Sequence, residues 1–152
     1  QNGGVEKNMT VKEARRYLRK WKSAENALKR LQSEKARLEE SLRTRYELDI
    51  PAPDGQPHGN KITHPTEDKA LNIVELADEY RERLTECEQK IKRNVELLRW
   101  VDYALALAEH ADILREYYYD KKPMPVIATE KHISTATAWR YERIGVASIC
   151  AI

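Results

Sequence analysis

The sequence contains no phenylalanine, only five glycines and two cysteines, and no apolar run approaches the roughly 18 residues that a membrane-spanning helix needs. A chain with 34% charged and 41% apolar residues is too polar to build one thick core, and must bury narrow apolar stripes along helices instead. Cys87 and Cys150 are too few for a disulfide framework and indicate free thiols in a reducing compartment. Because the N-terminus also lacks the apolar region of a signal peptide, we expect a cytoplasmic protein without a membrane partner.

Residue patterns of catalytic and metal sites are missing as well. The sequence has no glycine-rich phosphate-binding loop, no nucleophile elbow and no pair of catalytic carboxylates. Four histidines are scattered along the chain with no second metal ligand at helical or hairpin spacing: His58, His64, His110 and His132. We therefore predict a protein that is not an enzyme, with no catalytic residue, metal, cofactor or small-molecule substrate.

The dominant feature that is present is a heptad repeat of apolar residues. Between Thr10 and Tyr46 there is no glycine or proline, and most a and d positions are apolar or aromatic. Thr10 and Glu13 have the spacing of a capping box, and Pro51 prevents the helix from continuing. The a and d positions are Ala14, Tyr17, Trp21, Ala24, Leu28, Leu31, Lys35, Leu38, Leu42 and Arg45.

A second, equally regular heptad repeat begins after Thr66, the predicted N-cap. Residues 10–46 carry 12 basic and 5 acidic side chains, whereas residues 66–120 carry 8 basic and 14 acidic ones. Matched lengths and opposite charge predict an antiparallel coiled-coil hairpin over residues 10–101. Its connection at 47–65 is either a flexible spacer or an ordered loop, and residues 1–9 are expected to be disordered or tag-like. The second set of a and d positions is Ala70, Ile73, Ala77, Tyr80, Leu84, Cys87, Ile91, Asn94, Leu98 and Val101.

Further apolar side chains flank both heptad seams, beyond what one hairpin can cover. They are Leu18, Ala27, Val74, Leu76, Val95 and Leu97. Two hairpins packed as a four-helix bundle would bury them. We therefore predict a homodimer formed through the helical hairpin.

The pattern changes in residues 102–152. Apolar residues are denser over residues 103–118, which predicts a helix inside a small globular bundle, and residues 120–123 break it. Pro125 then suits the first turn of a short helix that extends to about Lys131.

A tight turn and a last helix follow. Ser134 is a strong N-cap for a helix that begins at Thr135. Gly145 either lies inside this helix, at a cost of about 1 kcal/mol, or caps its C-terminal end, in which case residues 146–152 pack back as a strand or turn. The succession of helix, turn, short helix, turn and helix is the helix-turn-helix plan. We therefore predict an all-α protein in which a helix-turn-helix module, residues 102–152, follows the hairpin.

The outward face of the last helix holds the candidate binding residues. Small Ala138 marks the buried side, and residues 121–152 carry 5 basic and 2 acidic side chains, a net charge of the sign that nucleic acid requires. Threonine hydroxyls and arginine guanidinium groups suit phosphates and base edges. The predicted contacts to double-stranded DNA are Thr135, Thr137, Trp139, Arg140 and Arg143, with Lys121 and Lys122 nearer the DNA backbone.

Two stretches carry a resemblance to a known family. They are GQPHGNKITHPT at residues 55–66 and the tail motifs Ile127-Ala128, Ile133-Ser134 and Thr137-Ala138-Trp139-Arg140. With the acidic helix between them, they resemble small bacteriophage and prophage proteins of uncharacterised function, similar in appearance to phage late-gene transcriptional regulators. These proteins have a coiled-coil body and a tail like region 4 of sigma factors. The resemblance covers nearly the whole chain from Met9, and it implies DNA binding and transcription regulation in a bacterial host cell.

The chain departs from those tails at three positions. It has Lys131 and His132 where they have leucine and the glycine of the turn, and Gly145 where they continue the helix with alanine. Two alternative functions therefore stay open. A DNA-recognition component of phage genome packaging would form a ring-shaped oligomer rather than a dimer. A scaffold or interaction protein would use the tail as a helical cap, with Trp139 and Arg140 buried or paired.

Overall fold

The computed structural model describes residues 9–47 and 67–151. This part of the chain is all-α, as predicted, and contains no strand. The predictions for residues 1–8, for the connection beyond residue 47 and for Thr66 as an N-cap lie outside the described residues. None of the described helices combines the length and apolarity that crossing a membrane requires. The helices are α1 (Val11–Leu42), α2 (Glu67–Leu107), α3 (Ala111–Leu114), α4 (Met124–Glu130) and α5 (Thr135–Cys150), with π-helical turns at Arg43–Glu47 and Arg115–Tyr119.

Helix α1 begins with the predicted capping box. The backbone N–H of Thr10 donates to Glu13 Oε1 at 3.1 Å, and the backbone N–H of Glu13 donates to Thr10 Oγ1 at 3.1 Å. Met9, which the sequence assigns to a disordered terminus, instead packs a half-buried side chain against the core that contains Leu18.

The chain divides into two compact units, and the division lies inside the long helices rather than after residue 101. The first unit contains residues 9–27 and 94–151 of the described chain, and the second contains the described residues between them. Helix α1 packs against α2 as a hairpin-like pair, as the heptad repeats predict.

Contacts within each unit carry this pairing. In the second unit, Cys87 Sγ donates to the Leu31 carbonyl at 3.2 Å, and burial raises the pKa of the Cys87 thiol. In the first unit, the rings of Tyr17 and Trp100 meet edge to face with their centroids 5.3 Å apart. Both contacts join positions on or beside the predicted seams.

The apolar run at residues 103–118 is not the single helix that the sequence predicts. A turn separates α2 from α3, and in it His110 has the left-handed φ of 53°. The His110 ring stacks on Tyr141 of α5 with centroids 4.0 Å apart, and the Glu109 N–H donates to Ser148 Oγ at 3.0 Å. Contacts with α5, rather than a local glycine or proline, therefore hold this turn.

Two buried clusters make up the core of the first unit. The larger joins α1, α2 and α5 with the α3 segment and contains Ala14, Leu18, Trp21, Val101, Ala104, Leu114, Tyr118, Val146 and Ile149. The smaller contains Ile113, Met124, Ile127, Ala128 and Ala138. Leu114 of α3 belongs to the larger cluster and the adjacent Ile113 to the smaller one, so this short helix links α4 to the long helices. The sequence predicts that Leu18 is buried by a second copy of the chain. In the structure, residues of its own chain bury it completely.

Candidate nucleic-acid interface

Helices α4 and α5 are joined by a tight turn that forms a Schellman motif. The N–H of Ile133 donates to the Ala128 carbonyl at 3.0 Å, and the N–H of His132 donates to the Thr129 carbonyl at 3.2 Å. This motif needs one left-handed residue after the helix, and His132 has φ 59°. The position at which the resembling tails carry glycine therefore has the conformation that glycine adopts most easily.

Ser134 is the N-cap of α5, as predicted. Its Oγ accepts the N–H of Thr137 at 3.0 Å and donates to Thr137 Oγ1 at 2.8 Å. Thr137 is half-buried and its hydroxyl takes part in the cap, whereas Thr135 is exposed at the first residue of α5. Of the two threonines singled out in the sequence, Thr135 is thus the more accessible to a ligand.

The exposed face of α5, by which we mean Thr135, Trp139, Arg140 and Arg143, contains two arginines three residues apart. Neither arginine forms an ion pair with any residue in the described ranges. Trp139 is 37% exposed, and its ring meets Tyr117 edge to face at 5.3 Å. The buried side of α5 contains Ala138, Glu142, Gly145, Val146 and Ile149.

The two candidate lysines before α4 differ in their surroundings. Lys121 is exposed, has a left-handed φ of 61° and has no ion pair among the described residues. Lys122 Nζ lies 2.9 Å from Glu130 and 3.6 Å from Glu116, and the hydrogen bond to Glu130 raises the pKa of Lys122. Lys121 is therefore the lysine available to an external anion.

Lys131 has a structural partner where the resembling tails have leucine. Its Nζ lies 2.7 Å from Asp112 and 3.1 Å from Glu116. The hydrogen bond between Lys131 and Asp112 raises the pKa of Lys131 and lowers the pKa of Asp112. These ion pairs connect the end of α4 to α3 and to the π-helical turn that follows it.

A buried ionic network that the sequence analysis missed holds α5 against α1. The guanidinium of Arg15 donates to both carboxylate oxygens of Glu142, with Nε 3.1 Å from Oε2 and Nη2 3.0 Å from Oε1. The Tyr118 hydroxyl donates to Glu142 Oε2 at 2.6 Å, and its burial, with this bond, raises the pKa of Tyr118. The available signal was helical spacing, since Glu142 lies four residues from Ala138 and from Val146 on the buried side.

Gly145 lies inside α5, so the C-cap alternative is wrong. Helix α5 continues to Cys150 without the predicted strand or turn after residue 145. A Cβ at Gly145 would lie 2.6 Å from the Glu109 carbonyl oxygen and 3.1 Å from Leu114 Cδ1. The glycine is needed because the turn after α2 crosses α5 too closely for any side chain.

Within residues 9–47 and 67–151, no group of three His, Cys, Asp or Glu side chains is arranged to hold a metal ion. Comparisons with protein-family models, curated protein sequences and solved structures find no match to this chain.

Proposed function

We propose that this protein is a phage-type transcriptional regulator that binds double-stranded DNA through the exposed face of α5 and forms a homodimer through its long helices. The observation that carries the proposal is the division of α5 into two faces. One bears Arg140 and Arg143 without carboxylate partners in the described chain, and the other is anchored by Glu142 and the apolar clusters. A helix fixed along one side in this way can present the other to a major groove.

The exposed residues have the chemistry that DNA contacts use. Arginine bonds bidentately to the O6 and N7 atoms of guanine, and it also pairs with phosphate. Because Arg140 and Arg143 are three residues apart on one helix, they can reach a base edge and a phosphate together. Thr135, at the first turn of α5, is suited to a phosphate oxygen.

The two acidic residues of the tail do not oppose an anion at this face. Glu142 is buried and paired with Arg15, and Glu130 is paired with Lys122. The negative charges of these two residues are thus neutralised locally, while Arg140 and Arg143 have no carboxylate partner in the described chain. A scaffold role predicts that Trp139 and Arg140 are buried or paired. Arg140 is exposed without an ion pair in the described chain, which favours DNA binding, whereas the Trp139 ring contacts Tyr117 and is 37% exposed.

The DNA-binding proposal is tested by selecting duplexes from a random pool and measuring affinity for the enriched sequence. Replacing Arg140 with Ala should weaken binding to that sequence by about 1–3 kcal/mol and relax the preference at one base pair. Arg93→Ala, an exposed arginine of the second unit, is the matched control and should bind like the wild type. If no sequence is enriched and no affinity exists below about 100 mM salt, the proposal is wrong.

The homodimer is supported by apolar side chains near the start of α2. Ile73, Val74 and Leu76 are 49%, 55% and 44% exposed, and a second copy would remove them from water. A dimer would also place two α5 helices about 34 Å apart, so the preferred DNA site should be an inverted repeat.

Sedimentation equilibrium tests the dimer. At concentrations of tens of micromolar the wild type should have twice the chain mass of 17.7 kDa, and the double variant Val74→Ser/Leu76→Ser should shift toward monomer. Val126→Ser, at a 43% exposed residue of α4, is the matched control and should stay dimeric. A monomeric wild type contradicts the dimer, and a ring-shaped higher oligomer would favour the packaging function instead.

A further inference from the structure

A cleft in the first unit is lined by basic side chains from two separate parts of the chain. Its volume is about 350 Å³, and it is lined by Arg19 of α1 and by Tyr117, Tyr118, Lys121, Lys122 and Pro123. Lys121 and Lys122 are predicted from the sequence to lie near the DNA backbone, and Arg19 belongs to the basic first helix, whose side chains could touch phosphates instead of pairing with the acidic helix. The fold brings Arg19 to these lysines across roughly a hundred residues of sequence, as the lining shows.

The cations of the cleft are not equivalent. Lys122 is held by Glu130 and Glu116. Arg19 and Lys121 are exposed, and neither has an ion pair with any residue that the structure describes. Two unpaired cations that border one cavity repel each other, and an anion between them would relieve that repulsion.

The position of the cleft connects it to α5. Tyr117 lines the cleft and also meets Trp139, on the exposed face of α5, with ring centroids 5.3 Å apart. Lys121 and Pro123 lead directly into α4, the first helix of the helix-turn-helix pair. A duplex that contacts the exposed face of α5 would therefore have a backbone strand close to this cleft.

We propose that the cleft is a phosphate site in which Arg19 and Lys121 together bind one backbone phosphate of the DNA duplex that α5 contacts. The proposal rests on the proposed function and adds α1 to the DNA interface. Arginine suits this role because its planar guanidinium can donate two parallel hydrogen bonds to phosphate oxygens. A phosphate contact fixes the position of the protein on DNA but carries no sequence information, so it should contribute affinity and salt dependence without altering sequence preference.

The test is the salt dependence of binding to a random-sequence duplex, measured by fluorescence anisotropy. The slope of log affinity against log salt changes by about 0.9 for each phosphate neutralised. The double variant Arg19→Gln/Lys121→Gln should therefore have a slope smaller by about 0.9, with the sequence preference from selection unchanged. Lys20→Gln removes a neighbouring exposed cation of α1 outside the cleft, and it should leave the slope nearly unchanged.

The outcomes separate this site from the proposed function. If the wild type binds DNA and the double variant keeps the wild-type slope, the cleft proposal is overturned while DNA binding by α5 stands. If Lys20→Gln, which removes one charge, lowers the slope by half as much as the double variant or more, the effect is general charge loss and the cleft proposal is again overturned. If the wild type does not bind DNA at low salt, both proposals fail. Thermal unfolding of each variant verifies folding, and we expect no change because neither cleft cation has an internal ion pair in the described chain.

Discussion

Replacing Arg15 with Met should destabilise the first unit more than replacing its partner Glu142 with Gln. The side chain of Glu142 is 2% exposed, whereas that of Arg15 is 28% exposed. Loss of Arg15 leaves a buried carboxylate with Tyr118 as its one side-chain hydrogen-bond donor among residues 9–47 and 67–151. Loss of the Glu142 charge instead leaves a guanidinium that already reaches water, and the amide can still accept the Tyr118 hydroxyl.

The magnitudes follow from this asymmetry. Removing one partner of a fully buried ion pair costs about 3–5 kcal/mol, and partial access of water to Arg15 places Arg15→Met near the lower end, at about 3 kcal/mol. Glu142→Gln exchanges charge-assisted hydrogen bonds for neutral ones and should cost about 1–1.5 kcal/mol. In the Glu142→Gln variant, loss of Arg15 leaves no buried charge without a partner, so Arg15→Met should cost only about 1 kcal/mol there. The difference from its cost in the wild type is a coupling energy of about 2 kcal/mol between the two residues.

The assay is urea unfolding followed by tryptophan fluorescence. All three tryptophans, Trp21, Trp100 and Trp139, lie in the first unit, so the signal reports on the unit that contains the network. Arg16→Met changes the neighbouring exposed arginine and is the matched control, with an expected effect below about 0.5 kcal/mol. Equal costs for Arg15→Met and Glu142→Gln, or a cost below about 1 kcal/mol for Arg15→Met, would refute the argument from burial.

Three further changes test how α5 is positioned, each through the free energy of unfolding from urea titration. Gly145→Ala should lower the free energy of unfolding by about 1–3 kcal/mol, because the new Cβ meets the Glu109 carbonyl oxygen, and this clash outweighs the better helix propensity of alanine. A gain in stability would contradict the close crossing. His132→Gly should raise it by about 0.5–1 kcal/mol by removing left-handed strain, and a loss would mean that the histidine side chain stabilises the turn. Ser134→Ala should lower it by about 1 kcal/mol and Ser134→Asp should restore it, whereas equal stability of all three would show that the cap contributes nothing.

Features set by neighbouring residues were predictable from the sequence. The capping box of Thr10 and Glu13, the seam positions Ala14 and Trp21, and the Ser134 cap all depend on spacings of a few residues. The all-α fold follows from the same local periodicity, because a narrow apolar stripe at helical spacing has few other ways to be buried.

Features set by distant contacts were not predictable in the same way. No glycine or proline marks the turn at residues 108–110, and its conformation depends on His110 stacking against Tyr141 of α5. Gly145 suggested a helix end because glycine is common there, but a crossing chain segment determines its role.

In the candidate site, too, features set by neighbouring residues were predictable and features set by distant contacts were not. The exposure of Arg140 and Arg143 follows from the helical spacing around Ala138, and the structure places both side chains at the surface. The partner of Glu142 lies 127 residues away in sequence, and Arg19 approaches Lys121 only in the folded chain. Charge counts along the sequence treat such residues as solvated, and tertiary structure alone reveals which are paired.

The most direct measurement of the central claim uses the indole N–H resonances in a ¹H–¹⁵N NMR spectrum of the full chain. The three tryptophans provide an internal comparison, because Trp139 lies on the exposed face of α5, Trp21 is buried and Trp100 is half-buried against Tyr17. The variants Trp139→Phe and Trp100→Phe assign the peaks. On addition of an equimolar duplex containing the selected sequence at low salt, the Trp139 resonance should shift or broaden while those of Trp21 and Trp100 stay in place. An unchanged Trp139 resonance, or equal changes at all three tryptophans, would contradict DNA binding by this face.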